Sequence, residues 1–207
     1  FNGAWRDRFD VAHTHDAPFL SGSGAPVPAL LMTQAATFRY TESADVQAVE
    51  LPYGNGAFVM TVLLPKPGRT LATLVNELDA ARWDGIVGAM RAQEVELFLP
   101  KLQLREHSLL NDALAAMGME PALCSGGGAD FSRLSPLGRS LCISHVLHDT
   151  FVDVHEEGTE AAAVTTVVVG IVSAPVRPTM RVDRPYLFAV RERFSGTILF
   201  MGAISSP

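Results

Sequence analysis

The sequence is poor in charge and has no apolar run long enough to form a membrane-spanning helix. Charged residues make up 18% of the chain, below the roughly 25% of typical soluble domains, so much of the molecule must be apolar. The uncharged run of residues 161–176 contains Thr, Ser and Pro and is shorter than the roughly 20 apolar residues of a spanning helix. We therefore expect no membrane partner.

Cysteine is also scarce, since only Cys124 and Cys142 occur in the 207 residues. Two cysteines cannot build the disulfide framework of a small secreted domain. Whether they pair, and which redox compartment the protein occupies, stays open at this point. The chain starts abruptly at Phe1 without a signal-like segment, so we expect either a processed protein or the back part of a longer one.

No basic stripe and no mixture of basic and aromatic residues appears along the chain. The formal net charge is −6, and acids and bases are dispersed along the sequence. A nucleic-acid partner needs a clustered positive surface. We therefore exclude nucleic acid as a partner.

Catalytic signatures are missing as well. The sequence contains no GxSxG, HExxH, Walker or GxGxxG motif. His145 and His148 are three residues apart, so on a strand they would face opposite ways and could not easily share a metal. Glu156 and Glu157 beside His155 could form an acid–base pair, but we expect a solvated strand end instead. The sequence therefore predicts no enzyme, no metal site and no cofactor.

The periodicity of apolar residues indicates an α+β protein dominated by antiparallel strands. An Asn-Gly turn predicts a hairpin over residues 46–65, and a second hairpin closes the chain. Helical spacing predicts one or two helices over residues 71–91, with a break in residues 79–84, and a further helix over residues 109–119. Residues 95–104 read as a strand interrupted at Pro100, and residues 141–154 as one long strand.

Residues 156–175, EEGTEAAAVTTVVVGIVSAP, combine two local preferences. The alanines favour a helix, whereas the run from Val164 to Val169 favours a strand. No charge occurs between Glu160 and Arg177. Such a segment is unusual for an exposed loop.

Several motifs around this segment resemble the serpins, the family of serine protease inhibitors. The hinge and the chain end carry the closest likeness, in HDTFVDVHEEGTEAAAVTT and RVDRPYLFAVRERFSGTILFMGAISSP. The other family blocks follow in the expected order: FNGAWRDRFD, ELPYGNGAFVMTVLLP, LFLPKLQL, LNDALAAMGM and ADFSRLSP. The resemblance implies a serpin fold of mixed, mostly antiparallel sheets with helices. It also implies that residues 1–207 are the C-terminal part of a single serpin domain, with the N-terminal half absent.

The resemblance also assigns roles to residues of this sequence. The loop hinge would consist of Glu157, Gly158, Thr159, Glu160, Ala161, Ala162 and Ala163. Trp5 would lie at the top of the large sheet, and His148 would belong to the region where that sheet opens. After cleavage the loop would enter the sheet as a strand, whose inward residues from Thr159 onward carry no charge and no proline. This pattern favours an inhibitor over a non-inhibitory binding protein, although Val164 departs from the alanine of many inhibitors.

The family's usual count from Gly158 places the scissile bond between Val172 and Ser173. Ile171 or Ala174 could occupy the reactive position instead, and Arg177 would give a trypsin-like preference but lies far along the loop. Val172 suits the pocket of an elastase-like or chymotrypsin-like serine protease. The resemblance further implies the missing N-terminal serpin half as a partner and an extracellular or secreted location. An inert fragment, cleaved as a plain substrate, is the remaining alternative.

Overall fold

The computed structural model describes residues 1–159 and 177–207. The strands are β1 Gly3–Ala4, β2 His15–Leu20, β3 Pro26–Glu42, β4 Val46–Tyr53, β5 Phe58–Pro65, β6 Arg91–Pro100, β7 Leu102–Leu109, β8 Leu147–His155, β9 Gly158–Thr159, β10 Thr179–Arg181, β11 Tyr186–Glu192 and β12 Ile198–Ile204. The helices are α1 Leu71–Glu77, α2 Ala80–Ala89 and α3 Asn111–Leu114. Single helical turns cover Val11–His13, Ala115–Met119, Glu120–Ala122 and Gly138–Ser140.

The described strands form two sheets. One has the order β1-β9-β8-β7, and the other has the order β10-β6-β3-β4-β5-β11-β12 with β2 paired to β3. The pairs with a defined register are antiparallel except that between β10 and β6, which is parallel. The prediction of an α+β fold with mostly antiparallel sheets is confirmed.

The chain divides into two compact units. The first comprises Phe1–Gln103 and Asp153–Pro207, and the second comprises Leu104–Val152. We refer to them as unit 1 and unit 2. None of the helices in the described part of the chain is long and apolar enough to cross a membrane.

The centre of unit 1 is the hairpin of β4 and β5, whose residues are nearly all buried. The turn that joins β4 to β5 contains Gly54 and Gly56. Their φ angles are 44° and 84°, positive values that residues with side chains rarely adopt. The hairpin predicted from the Asn-Gly turn is therefore confirmed. So is the closing hairpin, because β11 pairs with β12.

Helices α1 and α2 cover one face of this sheet. Leu74, Trp83 and Met90 pack there against side chains of β4, β5 and β11. The break predicted between the two helices lies at Leu78 and Asp79, where the Asp79 carboxylate accepts the Arg82 amide at 2.8 Å and begins α2. A side-chain cap of this kind satisfies one of the unpaired amides at a helix start.

Two predictions for unit 2 need correction. The predicted helix over residues 109–119 begins at Asn111 and continues after Leu114 as a wider turn over Ala115–Met119, which is interrupted at Gly118, whose φ is 94°. The predicted strand over residues 141–154 begins only at Leu147, so His145 lies outside it. Residues 142 and 143 are held elsewhere, because Cys142 is disulfide-bonded to Cys124 and Ile143 bridges Leu123.

Candidate functional site

The candidate site is the tight turn between β8 and β9, which belongs to unit 1. His155 pairs with Gly158 across the turn, leaving Glu156 and Glu157 at its tip. The chain therefore reverses immediately after β8. The other predicted hinge residues, Glu160, Ala161, Ala162 and Ala163, and the predicted reactive bond Val172–Ser173 lie outside the described residues.

Strand β9 lies between two neighbours and is paired with both. On one side Gly158 and Thr159 pair with His155 and Val154 of β8. On the other side they pair with Ala4 and Gly3 of β1. Two of the three described hinge residues, Gly158 and Thr159, thus already form a short central strand of the sheet.

Gly158 allows β1 and β9 to approach each other. Its φ is +150°, and a Cβ atom at this position would lie 2.2 Å from the Gly3 carbonyl oxygen and 2.7 Å from the Ala4 Cα. Both distances are far below van der Waals contact, so any side chain would push the strands apart. The glycine of the hinge motif therefore has a steric role.

Trp5, which directly follows β1, holds the turn through two hydrogen bonds. Its indole Nε1–H donates to the His155 carbonyl at 2.9 Å, and its backbone N–H donates to the Glu157 carbonyl at 2.9 Å. The ring is buried and stacks on Tyr53 with 4.4 Å between centroids. A buried indole N–H needs such an acceptor.

Tyr53 connects the stacked rings to β9. Its hydroxyl and that of Thr159 lie 2.8 Å apart within hydrogen-bond reach, and both residues are buried. Burial raises the pKa of Tyr53 well above its usual value, and the bond to Thr159 only partly opposes this. The contact orients the Thr159 side chain towards the protein interior.

Glu156 is anchored by three further contacts. One carboxylate oxygen accepts the Thr14 hydroxyl at 2.8 Å, and the other accepts the Lys101 ammonium at 2.8 Å. Its backbone carbonyl accepts the Phe9 amide at 3.1 Å. Glu156 is 6% exposed, so the prediction of a solvated strand end is wrong here.

Burial would by itself raise the pKa of Glu156. Hydrogen bonds from Lys101, from its own backbone and from Thr14 outweigh burial, together with the charge of Lys101, and hold the pKa of this carboxyl below its usual value. The anchors that hold the turn are thus strongest in the ionised state. Thr14, Lys101 and Tyr53 are site residues that the sequence analysis missed.

The remaining predicted residues occupy less defined positions. His148 belongs to unit 2, is exposed, and has its Nε2 2.9 Å from the Thr150 hydroxyl. His155 is half-buried, and its Nδ1 accepts the Glu157 amide at 3.3 Å. In residues 1–159 and 177–207 no cluster of three or more His, Cys, Asp or Glu side chains is placed to hold a metal ion. The sheet-opening role of Trp5 and His148 stays a prediction.

Comparison with known proteins places this geometry in context. The family model described as Serpin (serine protease inhibitor) matches residues 1–207. Human Serpin B11 is 34% identical over the whole chain, human Serpin B9 is 36% identical over the whole chain, and Intracellular coagulation inhibitor 1 of Tachypleus tridentatus is 34% identical over 99% of it. The chain covers 53%, 56% and 50% of these relatives, so it spans about half their length.

Solved structures agree in fold. The thermophilic serpin tengpin in its native state superposes with a TM-score of 0.86 at 27% identity, over 99% of this chain and 53% of that one. Human thyroxine-binding globulin complexed with its hormone superposes with a TM-score of 0.88 at 25% identity, over 100% of this chain and 54% of that one.

We expect Gly158→Ala to lower the free energy of unfolding by about 2–4 kcal/mol, because overpacking and the positive φ act together. Urea titration followed by tryptophan fluorescence reads this directly, since Trp5 and Trp83 both belong to unit 1. Gly85→Ala is the matched control, because nothing lies within 4 Å of a Cβ there and the helix should gain up to about 1 kcal/mol. A loss below about 0.5 kcal/mol at Gly158 would contradict the steric role.

We expect the turn to loosen in acid. A carboxyl with a lowered folded-state pKa stabilises above the unfolded pKa, roughly 4.3 for Glu, and that stability is lost as pH falls through the folded-state value. In a Trp83→Phe background, the emission of Trp5 should therefore change below about pH 4. Glu156→Gln should remove this acid transition, while Thr14→Val should keep it and cost about 1 kcal/mol. An acid transition that persists unchanged in Glu156→Gln argues against the anchor.

Proposed function

Because the chain belongs to the serpin family, a family of serine protease inhibitors, we propose that it is the loop-bearing part of an inhibitor that acts as a suicide substrate. The observation that carries this proposal is the two-sided pairing of β9. The strand stands directly before residues 160–176, which form an uncharged sequence from Ala161 onward. A loop that continues this strand would add to a sheet that has already accepted its first two residues.

The orientation of Thr159 sets which loop residues would face inward. Side chains alternate along a strand, and the Thr159 hydroxyl points to Tyr53 in the interior. Ala161, Ala163 and Thr165 would follow on the same face, and none of them carries a charge. Small uncharged residues can enter a sheet without leaving a buried charge unpaired.

We propose Val172–Ser173 as the reactive bond. The protease serine Oγ attacks the Val172 carbonyl carbon, the C–N bond to Ser173 breaks, and the Ser173 amine leaves with the added proton. An ester then links the protease to Val172. A small β-branched side chain suits a shallow apolar primary pocket, so an elastase-like or chymotrypsin-like target is proposed.

Arg177 is less suited to the reactive position. Its guanidinium pairs with the Glu94 carboxylate of β6 at 2.9 Å, and its side chain is 30% exposed. This ion pair would have to break before Arg177 could fill a protease pocket. This contact supports Val172 over a trypsin-like alternative.

Insertion of the freed loop would supply the trapping energy. New hydrogen-bond ladders on both sides of a loop of this length, at about 0.5–1.5 kcal/mol per bond, would release on the order of 10–30 kcal/mol. The stability of a protease is about 5–15 kcal/mol. Insertion could therefore distort the oxyanion hole that deacylation needs.

The polypeptide corresponding to the other half of the relatives is a proposed partner. Strand β12 is the last strand on its side of the larger sheet, and Ile198, Leu199 and Met201 are 40–49% exposed. Exposed apolar edge strands are normally covered. The Cys124–Cys142 disulfide supports an extracellular or secreted location, since such bonds persist in oxidising compartments.

A non-inhibitory binding protein is the second candidate, because thyroxine-binding globulin is among the structural neighbours. The uncharged inward face of the loop favours the inhibitor. The two functions differ in what they require of the loop. An inhibitor needs the loop to enter the sheet, whereas a binding protein does not.

The test is to mix the protein with an elastase-like serine protease and to analyse the products by denaturing gel and intact mass. We expect a boiling-resistant adduct. Its mass should equal the sum of the masses of the protease and this protein, less the mass of the peptide that starts at Ser173. Ala161→Glu would place a charge on the inward face and should convert the inhibitor into a substrate, with the adduct reduced at least about tenfold. Ala162→Glu, on the opposite face, should retain it.

Cleavage at Val172 without any adduct would make the chain a plain substrate and contradict trapping. Cleavage elsewhere, or none, would contradict the reactive-bond assignment. Equal effects of the two glutamate variants would contradict insertion with the inward face defined here.

A further inference from the structure

Unit 2 has very little hydrophobic core of its own. Among residues Leu104–Val152, only Leu123, Gly138 and Val152 are buried. Its large apolar side chains are instead mostly exposed: Leu109, Met117, Met119, Leu134, Leu137, Leu141, Leu147 and Phe151. Burial alone rarely stabilises so small a unit, and such units usually need a covalent or metal staple.

The disulfide between Cys124 and Cys142 provides such a covalent link within unit 2. Cys124 and Cys142 join the two ends of the segment Ser125–Leu141, with a Cα–Cα distance of 4.9 Å. Next to it the Cys124 amide donates to the Ile143 carbonyl, and the Ile143 amide donates to the Ala122 carbonyl, both at 3.0 Å. These two backbone bonds form only if the ends of the segment stay together.

The residues after Cys142 are held by Asn111. Its side-chain amide donates to the Ser144 carbonyl at 2.9 Å, and its side-chain oxygen accepts the Val146 amide at 2.9 Å. The Leu110 amide donates to the Val146 carbonyl at 2.8 Å. Leu110, Asn111, Ser144 and Val146 are each exposed or half-buried, so water can replace these bonds once the ends separate.

We propose that the Cys124–Cys142 disulfide is a redox-sensitive lock on unit 2. A dithiol reductant delivers two electrons to the S–S bond, the bond breaks, each cysteine sulfur takes up a proton, and the reductant becomes a disulfide. Reduction removes the loop-closure constraint on Ser125–Leu141. Residues 122–124 and 142–146 then separate, and the segment that precedes β8 loses its fixed path.

The lock gives unit 2 an oxidised state and a reduced state, each favoured in a different compartment. In an oxidising compartment the bond persists and the segment before β8 is fixed, whereas reducing conditions release it. Strand β8 follows this segment and leads along the chain to Glu156 and Gly158. In the reduced state, the segment upstream of the hinge is therefore no longer fixed. The device is separate from the reactive loop and does not depend on the proposed trapping function.

Hydrogen exchange measured by mass spectrometry tests the lock on the purified protein, with and without dithiothreitol. We expect exchange in peptides covering residues 120–147 to accelerate about 200-fold on reduction, the factor that the loop-closure entropy implies for a loop of this length. Peptides from β5 and β11 should not change. Tryptophan emission should also stay constant, because both tryptophans lie in unit 1.

Two variants serve as controls. The double variant Cys124→Ser with Cys142→Ser should exchange like the reduced protein and ignore the reductant. Ser125→Ala, which keeps both cysteines, should behave like the unmodified protein.

Three results would overturn the proposal. They are free thiols in the protein purified without reductant, exchange in residues 120–147 that reduction does not alter, and equal acceleration in β5 and β11. The last would mean that the whole protein unfolds rather than a local segment.

Discussion

The backbones of Gly3, Ala4 and Gly158 approach so closely that a Cβ atom at position 158 would overlap the Gly3 carbonyl oxygen. This close pairing lets β9 lie between β1 and β8 and brings Thr159 to Tyr53. Trp5 fixes the turn from one side, and Glu156, held by Thr14 and Lys101, fixes it from the other. The chain thus starts a new strand within a sheet directly before residues 160–176.

The contacts around the turn anchor the hinge as far as Thr159. Thr159 is buried, and its hydroxyl lies within hydrogen-bond reach of the buried Tyr53 hydroxyl. The sequence that follows, from Ala161, contains small and then β-branched residues without charge, and these favour a strand once a partner strand is available. Serpin membership rests on the family match over residues 1–207, whereas the proposed insertion rests on this local geometry.

Much of the fold could be predicted because it depends on local signals. The Asn-Gly turn and the apolar pattern located the hairpin of β4 and β5, and the helical spacing of apolar residues located α1 and α2. The hinge was recognised only through family motifs. Thr14 and Lys101 were missed because they lie 142 and 55 residues from Glu156, and no local pattern reports such contacts. The strand before the hinge was predicted too long, because its alternation cannot reveal that a disulfide holds its first residues elsewhere.

The central claim is that the cleaved loop extends β9 into a full strand of the sheet. The most direct test compares the melting temperature of the assembled inhibitor before and after specific cleavage at Val172–Ser173. Insertion predicts a rise of about 10 °C or more, since each kcal/mol added to a domain about twice the length of this chain raises the midpoint by about 1 °C. An unchanged or lower melting temperature after cleavage would contradict insertion, and with it the trapping mechanism.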